Sequence, residues 1–181
     1  MTRLVLIDDD ANILNALKRV LRSTGWEVTI FSSPLDAITQ LIADDVDLIM
    51  SDYRMPEMDG VATLNKLRDA CPSAVRLLMS GQADLDGVLK AINQAEIYRF
   101  VVKPWDDADL IMTLESALKY QAMVQENIRL ADLVRSQQDQ IQRQQRELQR
   151  LEQESPGITR VDRDADGSID LSGEFDEDAL R

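Results

Sequence analysis

Through residues 1–120, short aliphatic runs alternate with stretches whose apolar residues recur at helical spacing. The runs are Leu4–Ile7, Val28–Phe31, Leu48–Met50, Val75–Met79 and Phe100–Val102, each bounded by Asp, Ser, Gly or Pro. Their shortness and aliphatic content predict buried strands. Between them lie Ile13, Leu14, Leu17 and Leu21; Leu35, Ile38, Leu41 and Ile42; Val61, Leu64 and Leu67; and Leu85, Val88, Leu89 and Ile92, with Leu110, Leu114, Ala117 and Leu118 after the last run. Each set marks one face of a helix. Strands and helices in strict alternation, five of each, predict an α/β fold whose parallel sheet is covered on both faces. In such a sheet a site is built at the carboxyl ends of the strands.

The pattern changes near Tyr120. From Trp105 to about Glu154 there is no Gly or Pro, so one helix of about 50 residues, roughly 75 Å long, is predicted. Beyond Tyr120 a heptad phase runs through a positions Tyr120, Asn127, Val134, Ile141 and Leu148 and d positions Met123, Leu130, Gln137, Gln144 and Leu151. Most of these are apolar or aromatic, which predicts a coiled coil, and Asn127 at an a position favours a parallel, in-register homodimer through residues 120–151. Gln137 and Gln144 weaken the seam. After Ser155 the chain turns acidic, and the expected domains are 1–120, 121–155 and 156–181.

Composition narrows the chemistry. There is no histidine among the 181 residues, which excludes Ser-His-Asp and Cys-His machinery and any phosphohistidine carried on this chain. The single Cys71 cannot form an internal disulfide, and the N-terminal apolar stretch is too short for a secretion signal, so a cytoplasmic location without a membrane is expected. Net charge is −13, distributed as −7, −1 and −5 over the three segments. A near-neutral helix and an acidic tail repel phosphate backbones and argue against a nucleic-acid partner.

The strand ends carry the candidate chemistry. Asp8, Asp9 and Asp10 follow the first run, Ser51-Asp52 the third, Ser80-Gly81 the fourth and Lys103-Pro104 the fifth. Carboxylates gathered on one rim repel and call for a cation, and hard oxygen ligands suit Mg²⁺. A hydroxyl and an ammonium beside them are the groups needed to hold an incoming phosphoryl group.

With "VLIDDD", "SDYRMPEMDG", "LLMSG" and "FVVKPW" in that order, residues 1–120 resemble the receiver domain of two-component response regulators. The resemblance implies a flavodoxin-like, five-stranded, doubly wound sheet of order 2-1-3-4-5. It implies that Asp52 is the phosphoacceptor for a partner histidine kinase, and that the chain is not an enzyme in the ordinary sense. It assigns Mg²⁺ to Asp8, Asp9, Asp52 and the backbone carbonyl of Arg54, with Asp9 the direct carboxylate of the acid pair. Lys103 and Ser80 would bind the phosphoryl oxygens, and Phe100 would be the aromatic whose rotamer follows Ser80. Gly60, after Asp59, would permit a backbone geometry that a Cβ penalises, and Trp105 resembles a variant found in hydrogenase regulators and cyclic-nucleotide phosphodiesterase modules.

Other readings are open. A haloacid-dehalogenase phosphohydrolase also uses an aspartyl phosphate, but "DDDAN" lacks its DxDx[TV] continuation. A non-switching coiled-coil scaffold, or an adaptor controlling a bound enzyme, would use the helix alone. In the tail, Asp162–Asp170 resembles the start of a calcium loop, but Gly173 stands where the bidentate Glu belongs, so a β-hairpin closed by Asp166-Gly167, or a disordered acidic tail, is expected, with calcium binding the lesser alternative. The output is expected to be an unidentified protein target.

Overall fold

The computed structural model describes residues 1–41, 46–81 and 96–155. Residues Met1–Arg129 form one compact unit, and the described residues from Leu130 onward belong to a second. In the first, strands β1 (Arg3–Ile7), β2 (Glu27–Phe31), β3 (Leu48–Asp52), β4 (Val75–Gly81) and β5 (Arg99–Lys103) form a parallel sheet of order β2-β1-β3-β4-β5. This is the flavodoxin-like receiver order. The expected fourth helix (Leu85–Ile92), Ile42 and the tail 156–181 lie outside the described residues.

Side-chain alternation explains the two cores. In β1, Val5 and Ile7 point to one face and Leu4 and Leu6 to the other. The Val5 face, with Ile49 and Leu78, is covered by Ala37 of α2 (Pro34–Gln40) and Leu64 and Leu67 of α3 (Gly60–Ala70). The Leu4 face, with Leu48, Met50, Leu77 and Met79, is covered by Leu14, Leu17 and Leu21 of α1 (Ala11–Leu21) and by Leu110, Leu114 and Ala117 of the C-terminal helix (Asp107–Glu154). Central β3 is buried throughout, whereas edge strand β2 alternates between exposed and half-buried.

Each described α-helix starts on a side-chain cap. Asp10 accepts from the Asn12 N–H at 2.8 Å, Ser33 from Asp36 at 3.4 Å with Pro34 in the first turn, and Asp59 from Ala62 at 2.7 Å. The C-terminal helix begins at Asp107 rather than Trp105 because Asp106 accepts from both Ala108 and Asp109, at 2.9 and 3.1 Å. Strands β3, β4 and β5 run further than their aliphatic runs. Their ladders extend through Asp52↔Met79, Ser80↔Val102 and Gly81↔Lys103, so Asp52, Ser80 and Lys103 are strand residues rather than loop residues.

Gly60 is required for closeness, not for a left-handed backbone; among the described residues only Gly25 is a glycine with positive φ, at 73°. A Cβ on Gly60 would land on the carbonyl oxygen of Asp52 and lie 2.8 Å from Leu78 Cδ1. The first residue of α3 is therefore pressed against the residue that the sequence marks as acceptor. Gly60→Ala is expected to lower the unfolding free energy by about 2 kcal/mol, measured by urea denaturation. A midpoint equal to that of the unsubstituted protein would contradict the close approach.

Candidate functional site

Parallel strands place their carboxyl ends on one edge, so the residues at the ends of β1, β3, β4 and β5 share a rim. Asp8 follows β1 and is only 1% exposed; its backbone N–H donates to the Phe31 carbonyl at 3.2 Å. Asp52 ends β3 and is 6% exposed. Lys103 ends β5 and extends past β4 to both acids. Its ammonium lies 2.6 Å from Asp8 Oδ2 and 2.5 Å from Asp52 Oδ1. The remaining oxygens are also engaged: Asp8 Oδ1 accepts from the Asp10 N–H at 2.9 Å and Asp52 Oδ2 from the Arg54 N–H at 2.8 Å.

The other expected residues fall around this centre in different ways. Asp9 is exposed and lines an open cleft with Tyr53, Arg54, Met55, Pro56 and Asp59. Asp10 is spent on capping α1. Ser80 is 1% exposed and its hydroxyl donates to the Gly81 carbonyl at 3.2 Å, so it is not bonded to Asp52 or Lys103 here. Phe100 is half-buried, pairs with Leu78 in the ladder and packs against the core on the α2–α3 side.

The loop after β3 is closed on itself, with the Gly60 N–H donating to the Tyr53 carbonyl at 3.0 Å and Tyr53 N–H to the Met79 carbonyl at 2.8 Å. Two features of this region were not legible in the sequence. Asp59 lines the cleft while capping α3, and Ser33 donates to Glu57 at 2.8 Å, tying the loop after β2 to the loop after β3. The second joins residues far apart in the chain by one exposed hydrogen bond, and neither residue type signals it.

Electrostatics explains the arrangement. Burial raises the Asp8 carboxyl above its usual range, against the opposing pull of the Lys103 and Asp10 bonds. Burial pulls Lys103 down, but its bonds to Asp52 and Asp8 outweigh that and leave it above the usual amine range. Two buried carboxylates meet one ammonium, with exposed Asp9 beside them in the chain, a local surplus of negative charge. Every candidate ligand is a hard oxygen, so the donor chemistry fits a divalent cation such as Mg²⁺. Among the described residues no three acidic or sulfur groups are gathered as a ready-made metal cage, and Lys103 holds one oxygen of Asp8 and one of Asp52.

The fold and this rim define a flavodoxin-like α/β domain with an acid–lysine cluster at its carboxyl edge, and comparison with known proteins supplies the family. Residues 4–115 match the family model described as response regulator receiver domain, so the chain belongs to the response regulator receiver family. It is 33% identical over 116 residues to the hydrogenase transcriptional regulatory protein HoxA of Bradyrhizobium diazoefficiens, covering 64% of this chain and 24% of that protein. It is 34% identical over 122 residues to the C4-dicarboxylate transport transcriptional regulatory protein DctD of Rhizobium meliloti, covering 67% and 26%. The chain thus spans about a quarter of the length of these curated relatives.

Among solved structures, it resembles a signal receiver domain of an HD domain-containing protein from Pseudomonas fluorescens Pf-5, at TM-score 0.65 and 34% identity over 69% of this chain and 92% of that one. It also resembles an adenylate cyclase chain from Rhodopirellula baltica, at TM-score 0.68 and 33% identity over 73% and 98%. Receiver domains take phosphate from histidine kinases, typically bind Mg²⁺ and are generally not classical enzymes. No helix among the described residues is long and apolar enough to cross a membrane.

A carboxyl raised in the folded state binds its proton more tightly there than in the unfolded chain, so stability is lost as pH rises above the ordinary Asp value of 3.8. At neutral pH, ionised Asp8 is therefore a cost to the metal-free fold. Asp8→Asn is expected to stabilise the protein in EDTA at neutral pH by on the order of 1 kcal/mol, the gain shrinking on acidification. A lower thermal midpoint for the variant at neutral pH would contradict this.

Proposed function

We propose that this chain is a response regulator that accepts a phosphoryl group on Asp52 from a phosphohistidine on a separate kinase and signals through its C-terminal helix. The observation that carries the proposal is the Lys103 ammonium held between Asp8 and Asp52 at the carboxyl edge of the sheet. A carboxylate at a strand end, buried except on its rim side, is a positioned nucleophile, and the ammonium beside it is a fixed positive charge for phosphoryl oxygens.

In the transfer step an Asp52 oxygen forms a bond to phosphorus while the nitrogen–phosphorus bond of the donor breaks. The leaving imidazole keeps the electron pair and takes up a proton. Asp9 and Asp52, with Asp8 and the Arg54 carbonyl, are the residues that would hold Mg²⁺. When bound, that ion supplies neutralisation of the charge on the phosphoryl oxygens. Lys103 orients the group, and Ser80 exchanges its bond to Gly81 for one to a phosphoryl oxygen.

The added charge pulls on Lys103 at one end of β5, a strand that also carries Phe100. A Phe in place of a hydroxylated aromatic leaves packing as the only readout at that position. The response then passes to the face formed by β4, β5 and the C-terminal helix. The output is a protein–protein contact in the cytoplasm, in keeping with the absence of basic character in the helix and tail. Apolar residues left open along the helix favour this reading over a domain that only receives phosphate.

The test is incorporation of acid-labile phosphate from acetyl phosphate. The unsubstituted protein should be labelled only with Mg²⁺ present, and Asp52→Asn should lose at least nine-tenths of the label. Equal labelling of the Asn variant would place the acceptor elsewhere.

A further inference from the structure

Beyond Leu118, the C-terminal helix carries two stripes on different faces. Ala117, Gln121, Val124 and Ile128 recur at intervals of four and three residues and continue the buried row Leu110, Leu114, Ala117. Val124 and Ile128 line a cleft there with Ile97, Tyr98 and Tyr120. The second stripe is the heptad set Asn127, Leu130, Val134, Gln137, Ile141, Gln144, Leu148 and Leu151. At 3.6 residues per turn the heptad stripe begins about 120° from the first at Asn127–Val134 and drifts about 20° further with each heptad. Tyr120 sits on the boundary. It is the first a position of the heptad, yet its ring stacks on Tyr98 with centroids 4.8 Å apart and an interplanar angle of 30°.

The heptad stripe is open. Met123, Leu130, Val134, Ile141 and Leu148 are between 44% and 57% exposed, although they recur with the spacing of a seam. Its polar members say what covers it. Asn127, Gln137 and Gln144 each carry a carboxamide that both donates and accepts, so in a parallel, in-register pair each meets its own counterpart and both are satisfied. Against an apolar partner, or in an antiparallel pair, they would be buried without partners. Glu147, which such a pair would bring towards Glu152, is already bonded to Arg150 at 2.7 Å on its own helix.

Taking the parallel pair that the heptad predicts, we infer that Tyr98 holds Tyr120 out of its first layer. The first a layer is therefore contested between the sheet and the second copy. Tyr98 directly precedes β5, the strand that ends in Lys103, so the contest takes place at the opposite end of the strand that would respond to phosphate. The inference rests on reading the helix as the output element and does not depend on which residue accepts phosphate.

Sedimentation equilibrium of the full chain, without phosphoryl donor, tests it. The unsubstituted protein should dimerise at tens of micromolar, and Val134→Asp should be monomeric there. Tyr98→Ala should tighten the dimer about three- to tenfold, the worth of one aromatic pair, while Tyr98→Phe, which keeps the ring, should match the unsubstituted protein. Tyr120→Ala should leave the dimer unchanged alone and abolish the gain when combined with Tyr98→Ala. Circular dichroism on each variant establishes that it folds. A monomer for the unsubstituted protein, a dimer undisturbed by Val134→Asp, a Tyr98→Ala dimer no tighter than the original, or a weaker dimer from Tyr120→Ala alone would each overturn the inference. The outcome is independent of phosphate labelling: loss of the Asp52 assignment would leave these dissociation constants untouched.

Discussion

One ammonium group reconciles the carboxyl edge of this sheet with its charge. The parallel topology sends the ends of β1 and β3, adjacent in the sheet, to the same rim, and each ends in an acid. Two buried carboxylates side by side are unfavourable in a poorly solvated site. Lys103 relieves this from the far strand, one long side chain contacting both Asp8 and Asp52. The rest of the site follows from that geometry. The backbone N–H groups of Asp10 and Arg54 satisfy the oxygens Lys103 leaves, and exposed Asp9 lines the neighbouring cleft.

Rigidity at that edge has a structural source some residues away. Gly60 brings the start of α3 against the Asp52 carbonyl, and the loop between them is closed by the Gly60–Tyr53 bond. Asp52 is thus fixed from behind by backbone and from the side by Lys103, while among the described residues the Ser80 hydroxyl bonds only to the neighbouring Gly81 carbonyl. Under the proposed function, Asp52 is then a fixed acceptor and Ser80 the residue that changes partners, the arrangement a chemical switch requires. The same strand that carries Lys103 is preceded by Tyr98, whose contact with Tyr120 links the sheet to the root of the C-terminal helix.

The sheet was legible because its signal is repetitive. Aliphatic runs such as Leu4–Ile7 and Leu48–Met50 alternate with rows such as Leu14, Leu17 and Leu21, and those periods have few alternative explanations. Strand bounds were less legible: polar Asp52, Ser80 and Lys103 lie past the aliphatic runs, and it is the ladder that makes them strand residues. Asp8, Asp52 and Lys103 were identifiable as chemistry because polar groups recur at successive strand ends, and the structure brings those three together; Asp9 and Ser80 share the rim without touching them. What the sequence concealed depends on contacts between distant residues. Tyr120 reads as a seam position from its heptad spacing, and only the fold reveals Tyr98 beside it. The need for Gly60 was visible, but its cause, a close approach to Asp52 rather than a special φ, required the packed structure.

The most direct measurement is a crystal structure of the protein with Mg²⁺ and beryllofluoride, a mimic of a bound phosphoryl group. The account predicts the beryllium on an Asp52 oxygen, Lys103 bonded to a fluorine instead of bridging Asp8 and Asp52, the metal on Asp9 and Asp52, and the Ser80 hydroxyl turned from Gly81 to a fluorine. Beryllofluoride on any other side chain, or a Lys103 that still bridges the two aspartates with the mimic bound, would contradict it.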